Sequence, residues 1–252
     1  MPEFRSRKAL ANPELRRRGI YILPNLFTTA ALFAGFYAIV QAMTDRFEQA
    51  AVAIFIAMIL DGLDGRVARL TRTQSAFGAE YDSLSDMVSF GVAPALVMFE
   101  WAMKGMGKWG WIAAFIYCVG AALRLARFNT NIEVVDKRFF QGLPSPAAAA
   151  LIAGFVWVLM DLNYAGEEVR WYAWALTIFA GVTMVSNFRY YSGKDINLRR
   201  SVPFIAVLAI VLFFVLVSSY PPGILFALFL CYAFSGYIMA VLDWVRRRKT
   251  PA

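Results

Sequence analysis

Long apolar runs, separated only by short charged or turn-forming links, constrain this chain more than any other feature. The runs lie near 22–43, 47–70, 79–103, 109–129, 145–163, 171–191, 202–219 and 223–244. Each is close to the ~20 residues that a helix needs to cross the hydrocarbon core of a bilayer. The links carry helix-ending punctuation: Gly105 and Gly107, the run Gly142-Leu143-Pro144-Ser145-Pro146, Asn163 to Gly166, and Pro221-Pro222-Gly223. Soluble chains average about 25% charged residues, whereas 17% of these 252 are charged and 60% are hydrophobic. That composition excludes an ordinary soluble protein and leaves no stretch for a separate soluble domain. The expected fold is an all-α integral membrane protein, a bundle of about eight transmembrane helices. Residues 1–20 read as a basic segment, 21–245 as a single transmembrane domain and 246–252 as a basic tail.

The chain carries a formal charge of +8, and the placement of that charge identifies its partner. With the N-terminus inside, all but four of the 25 Lys and Arg residues fall on the cytoplasmic side, the exceptions being Arg46, Lys104, Lys108 and Arg170. The positive-inside bias therefore predicts that both termini are cytoplasmic, and it attributes the charge to membrane lipids rather than nucleic acid. The basic first twenty residues precede a long span with no small-x-small cleavage site, which predicts a retained first helix. Histidine is absent, so a catalytic base or metal ligand must come mainly from carboxylates. Cys118 and Cys231 sit in apolar runs without a C-x-x-C motif, which excludes a disulfide scaffold or a zinc ribbon. Trp101, Trp109, Trp111, Trp171 and Tyr172 fall near span ends, where interfacial anchors belong.

One region departs from this apolar pattern. Asp61 and Asp64 stand three apart near the end of the second run, and Asp82 and Asp86 stand four apart at the start of the third. Each pair shares one helix face, and the short link between the runs makes the two helices antiparallel neighbours. Four converging carboxylates repel one another unless cations lie between them, and oxygen-only ligands suit hard divalent ions such as Mg²⁺ or Mn²⁺. Gly62, Gly65, Ala68 and Gly78 leave room for close approach, and Arg69 adds a cation suited to a phosphate or pyrophosphate. Ionisable residues in or at the edge of membrane helices are costly and point to function.

The arrangement Asp61-Gly62-x2-Gly65-x2-Ala68-Arg69, eight further residues, then Gly78-x3-Asp82-x3-Asp86, with Asp64 inside the first segment, resembles the signature of the CDP-alcohol phosphatidyltransferases. The resemblance implies transfer of a phosphatidyl group from a CDP-linked lipid to the hydroxyl of a small alcohol, with release of CMP. It implies two divalent ions on Asp61, Asp64, Asp82 and Asp86, with Asp86 also the proton acceptor. It implies a CDP-lipid site that includes Gly62, Gly65, Ala68, Arg69, Ser75 and Gly78, joined by Asn25 and Thr28 of an N-x-x-T element, and it favours a homodimer.

Three further elements are similar to the phosphatidylserine synthase branch: Arg124-Leu125-Ala126-Arg127-Phe128-Asn129, Phe140-x-Gly142-Leu143-Pro144-Ser145-Pro146, and Ser186-Asn187-x-Arg189-Tyr190. They imply CDP-diacylglycerol and L-serine as substrates, at an inner-membrane site facing the cytoplasm. A zwitterionic amino acid needs a cation for its carboxylate, so Arg124, Arg127 and, with them, Asn129 are the acceptor candidates. Three other readings stay open on the residues alone: the same chemistry with glycerol 3-phosphate or an inositol phosphate, a cation channel or transporter using the acidic cluster, and a purely structural or lipid-binding membrane protein.

Overall fold

The computed structural model describes residues 13–130, 139–192 and 204–249, which form eight helices and one small sheet. Each apolar run becomes a helix: α1 Pro13–Met43, α2 Phe47–Thr71, α3 Ala76–Met106, α4 Lys108–Thr130, α5 Ser145–Asp161, α6 Arg170–Val185, α7 Phe204–Ser219 and α8 Pro221–Lys249. Four stretches are long and apolar enough to cross a membrane: Leu23–Met43, Ala76–Met106, Lys108–Thr130 and Pro221–Val245. The charges near the end of α2 and the shorter lengths of α5, α6 and α7 keep those four helices out of that class.

The turns have local causes. Asp45 at φ 58° reverses the chain between α1 and α2, and the Arg46 N–H closes on the Gln41 carbonyl at 2.9 Å. Arg72, also left-handed at φ 55°, ends α2, and the Thr73 N–H returns to the Ala68 carbonyl at 3.0 Å. Ser75 then starts α3 by accepting the Gly78 N–H at 3.0 Å, so only a few residues separate the two acidic helix ends. Within α3 the backbone widens into π turns over Met87–Val92 and Phe99–Met103. The first begins at the residue after Asp86, and the fully buried Tyr117 hydroxyl of α4 donates to the Phe90 carbonyl within it at 3.0 Å. A π turn inserts one residue and re-aims the faces on either side. Below it α3 presents carboxylates, within it Phe90 enters the core, and above it Val97 and Met98 do.

Helix α5 is the centre of the molecule. Residues Ala148–Ala153 are inaccessible to solvent, and the alanines among them let α2 and α8 approach closely. Helices α4 and α6 meet where Gly120 lies against the Gly181 carbonyl, and a Cβ on Gly120 would stand 2.4 Å from that oxygen. Helix α7 packs against α8 and turns large apolar side chains such as Phe214 and Val215 outward, as a lipid-facing helix does.

Two expectations change. The sixth run was expected to stay helical to 191, but α6 ends at Val185, where Ser186 turns to extended backbone at ψ 164°. The fold is also not wholly helical. Phe139–Gln141 (β1) and Arg189–Tyr191 (β2) pair antiparallel, with Phe140 opposite Tyr190. The helical limits shift at both ends as well, since α1 starts at Pro13 and α8 continues to Lys249. Residues 1–12 and 250–252 of the expected terminal segments lie outside the described residues.

Candidate active site at the acidic ends of α2 and α3

The four aspartates converge as their spacing requires. Carboxylate oxygens of Asp61, Asp64 and Asp82 lie within 4.8 Å of one another. Asp86, one turn further along α3, stands beside Asp61 and Asp82 rather than in the tight triad. One oxygen each of Asp82 and Asp86 is buried with no hydrogen-bond partner among the described residues. Among the described residues the only ion pair is Lys104–Glu100, far along α3, so neither Arg66, Arg69 nor Arg72 neutralises the cluster by direct contact. Buried acceptors without donors, crowded by like charges, fit divalent cations, and a set made only of carboxylates fits hard ions.

Helix α1 forms the third wall. The Thr28 hydroxyl, buried like its partner, donates to Asp64 Oδ2 at 2.6 Å, with the Pro24 carbonyl at 3.2 Å. Pro24 lacks an N–H and interrupts the helical ladder one turn below Thr28. Two serines of α3 stitch the helices together: Ser85 donates to the Thr28 carbonyl and Ser89 to the Ala31 carbonyl, both at 3.1 Å. The contact is close because Gly35 faces Ser89, where a Cβ would stand 2.5 Å from Oγ. Ser85 and Ser89 were not singled out in the sequence, although serines four apart within an apolar run are a signal for interhelical hydrogen bonds.

A cleft of about 280 Å³ opens from the carboxylates between α1, α2 and α3. It brings together Asn25, Thr28, Gly65, Ala68, Arg69, Ser75 and Gly78 with Asp64 and Asp82, from all three helices. Thr73 and Gln74 of the link also line it, unanticipated because a link has no periodicity. A Cβ on Gly78 would lie 3.1 Å from Ser75 Oγ and 3.5 Å from Asn25 Oδ1, so a side chain there would fill the cleft mouth. At Gly65 a Cβ would stand 3.9 Å from the Arg69 guanidinium, in ordinary contact with it. Gly62 is not brought to the cleft and is exposed, with nothing within 4 Å of a Cβ built on it.

The acceptor candidates on α4 separate into different environments. Arg124 donates from Nη1 to Ser145 Oγ at 2.6 Å, lies 5.8 Å from the Phe128 ring centre, and turns its charge toward Asp86 and Asp61. Arg127 points elsewhere. Its Nη2 donates to the Val185 carbonyl at 2.9 Å, and its Nη1 donates to the Ser186 carbonyl at 3.2 Å and to Asn187 Oδ1 at 3.4 Å, which closes the end of α6. Asn129 donates to Ser83 Oγ at 3.0 Å, beside Asp82 in sequence. Metal-ready carboxylates, a cation-bearing cleft and a second, half-buried cation therefore surround one polar centre. Such a site can hold a pyrophosphate and bring a small polar molecule to it.

The sequence is similar to those of known proteins. Residues 21–179 match the CDP-alcohol phosphatidyltransferase family. A CDP-diacylglycerol–serine O-phosphatidyltransferase of Helicobacter pylori is 40% identical over 181 residues, covering 71% of this chain and 75% of the relative. Enzymes of the same name from Methanocaldococcus jannaschii and Saccharomyces cerevisiae are 41% and 39% identical, over 54% and 50% of this chain and 61% and 50% of their own lengths. With the match extending from α1 into α6, the chain belongs to the CDP-alcohol phosphatidyltransferase family.

Proposed function

We propose that this protein transfers the phosphatidyl group of CDP-diacylglycerol to the hydroxyl of L-serine, giving phosphatidylserine and CMP. The observation that carries the reading is the approach of Asp61, Asp64 and Asp82 to within 4.8 Å, with unpartnered oxygens on Asp82 and Asp86, beside a cleft holding Arg69. The relatives named for the serine reaction make serine the favoured acceptor over glycerol 3-phosphate or an inositol phosphate. The family match favours group transfer over an ion path.

In this mechanism the CDP-lipid occupies the cleft, with its pyrophosphate at Arg69 and its nucleotide toward Asn25, Ser75 and Gly78. Asp61, Asp64, Asp82 and Asp86 would hold two divalent ions, Mg²⁺ or Mn²⁺, which supply charge neutralisation for the pyrophosphate and the departing CMP. Asp86 accepts the proton of the serine hydroxyl, whose oxygen forms a bond to the phosphatidyl phosphorus. The phosphoanhydride bond to CMP breaks, and its bridging oxygen leaves with CMP. Arg124 binds the serine carboxylate, supported by its half-buried position facing Asp86 and Asp61 and its anchor on Ser145. Asn129 sits at the edge of this centre, whereas the three hydrogen bonds of Arg127 argue for a structural role.

The same reading places residues 21–245 in one eight-span transmembrane domain, with both termini and the site on the cytoplasmic face of the inner membrane. The Lys and Arg bias supports that orientation, and the family resemblance supports a homodimer. The decisive measurement is CMP release by purified protein in detergent, with CDP-diacylglycerol and serine, glycerol 3-phosphate or inositol phosphate, with and without chelator. Serine-dependent, chelator-sensitive release is expected, and release with another acceptor only would discard serine.

A further inference from the structure

The run Gly142-Leu143-Pro144-Ser145-Pro146 is built with more constraint than a helix start requires. Gly142 takes φ +77°, and a Cβ there would stand 2.2 Å from the Met184 carbonyl oxygen. Its N–H donates to the Phe188 carbonyl at 2.8 Å, and the N–H of the fully buried Leu143 donates to the Thr183 carbonyl at 3.1 Å. These contacts fix the start of α5 against the end of α6 and the chain leading into β2.

Ser145 follows in this fixed frame, and its hydroxyl does an unusual task for its position. Serine at a helix start ordinarily accepts an unpaired backbone N–H of the first turn. Here Pro144 occupies the cap position, no side chain caps the helix, and Pro146 removes one of the N–H groups that would need an acceptor. The Ser145 side chain, with no solvent exposure, is left to accept Arg124 Nη1 at 2.6 Å. Among the described residues it is the sole hydrogen-bond acceptor of Arg124. A guanidinium carries five N–H donors in a rigid plane, so fixing one nitrogen fixes the direction of the others. The other donors of Arg124 remain for a ligand at the polar centre, whereas Arg127, one turn further on, spends its hydrogen bonds on α6 and Asn187.

We propose that Ser145 is a specificity-determining positioning residue: it anchors one nitrogen of Arg124 and so aims the guanidinium edge that recognises the carboxylate of an amino-acid acceptor. Ser145 need not touch that acceptor. The inference rests on the serine-transfer reading and deepens it, assigning the Pro-Ser-Pro start of α5 to acceptor recognition rather than to helix capping.

The test compares S145T with S145V in the full-length protein, because threonine and valine add nearly the same volume and differ in the hydroxyl. Initial rates of CMP release are measured against serine at saturating CDP-diacylglycerol, and against CDP-diacylglycerol at saturating serine. A hydrogen bond to a charged group predicts that S145V raises the serine KM roughly tenfold relative to S145T, while the two variants keep the same CDP-diacylglycerol KM. S145A should behave like S145V. Equal serine KM values in S145T and S145V would overturn the proposal, as would a parallel rise of both KM values in S145V alone, which marks a packing role. Wild-type CMP release that ignores serine would instead remove the serine reading itself, and the inference with it.

Discussion

The two sides of the polar centre treat their polar groups in opposite ways. On the side built from α2 and α3, carboxylates are crowded together, and among the described residues no arginine pairs with them directly and Asp82 and Asp86 each keep a buried oxygen without a donor. On the side built from α4, α5, α6 and the ribbon, donors and acceptors are matched. Arg127 closes the end of α6, the Gly142 and Leu143 N–H groups find carbonyls, Thr183 bonds the Tyr237 hydroxyl at 2.7 Å, and the Tyr190 hydroxyl reaches the Ala233 carbonyl at 2.8 Å. Unsatisfied groups cost stability unless a ligand completes them, while satisfied ones hold geometry. The acidic side is thus shaped for what it binds and the matched side for what it must keep still. Arg124 belongs structurally to the second and electrostatically to the first.

The largest effect should come from removing the groups that lack partners. On the proposed mechanism, D86N and D82N should each lower turnover by at least about a thousandfold, since an amide would replace a proposed metal ligand and, at Asp86, the proposed proton acceptor as well. The metal-free proteins should nevertheless melt no lower than wild type, because each change removes a charge from a repelling cluster. The gain in melting temperature on adding Mg²⁺ or Mn²⁺ should shrink. CMP release and thermal unfolding with and without metal test both parts, and a large loss of metal-free stability would end the claim that this side is strained without its ligands.

Next in size is Arg124, where the two sides meet. R124Q should raise the serine KM by roughly thirtyfold or more, the scale expected when a charge-assisted contact to a carboxylate is lost. The CDP-diacylglycerol KM should stay within about twofold. Equal losses for both substrates would move Arg124 from acceptor recognition to support of the whole acidic cluster. A smaller effect is expected at Thr28, which orients Asp64 through a 2.6 Å hydrogen bond. T28V should raise the metal concentration needed for half-maximal rate about tenfold, as loss of a ligand-orienting contact does, with turnover at saturating metal changed less. A metal requirement equal to wild type would limit Thr28 to the nucleotide cleft.

What the sequence revealed and what it hid follow the same division. The acidic side is legible because i,i+3 and i,i+4 spacing places Asp61 with Asp64 and Asp82 with Asp86 before any tertiary contact is known. The apolar runs likewise locate all eight helices, since burial and lipid exposure both demand apolar side chains. The matched side depends on partners distant in the chain. Arg124 and Arg127 differ by three positions and have the same chemistry, and only Ser145 across the bundle and the carbonyls of Val185 and Ser186 separate their roles. The ribbon escaped notice because β1 and β2 are each three residues long and pair across about fifty residues of chain, below the reach of local periodicity. Hydropathy carried the sixth span past Ser186 because Tyr190 and Tyr191 are apolar enough to extend it, although they leave the helix to form β2. The π turns of α3 leave no mark in composition, because they depend on which carbonyl an N–H reaches.

The smallest change in activity is expected at Arg127, and it separates framework from recognition most sharply. R127Q removes the guanidinium that meets the Val185 and Ser186 carbonyls and Asn187, leaving two acceptors at the end of α6 without their cationic donor. A loss on the order of 1 kcal/mol for such contacts corresponds to a melting temperature lower by about 2–4 °C in a chain of this size. The serine KM should remain within about twofold of wild type, because Arg124 keeps its own anchor on Ser145 at the start of α5. Melting in detergent and serine kinetics on the same preparation check the two halves together. A serine KM raised as much as in R124Q, at unchanged stability, would make Arg127 a substrate contact and erase the distinction between the two arginines.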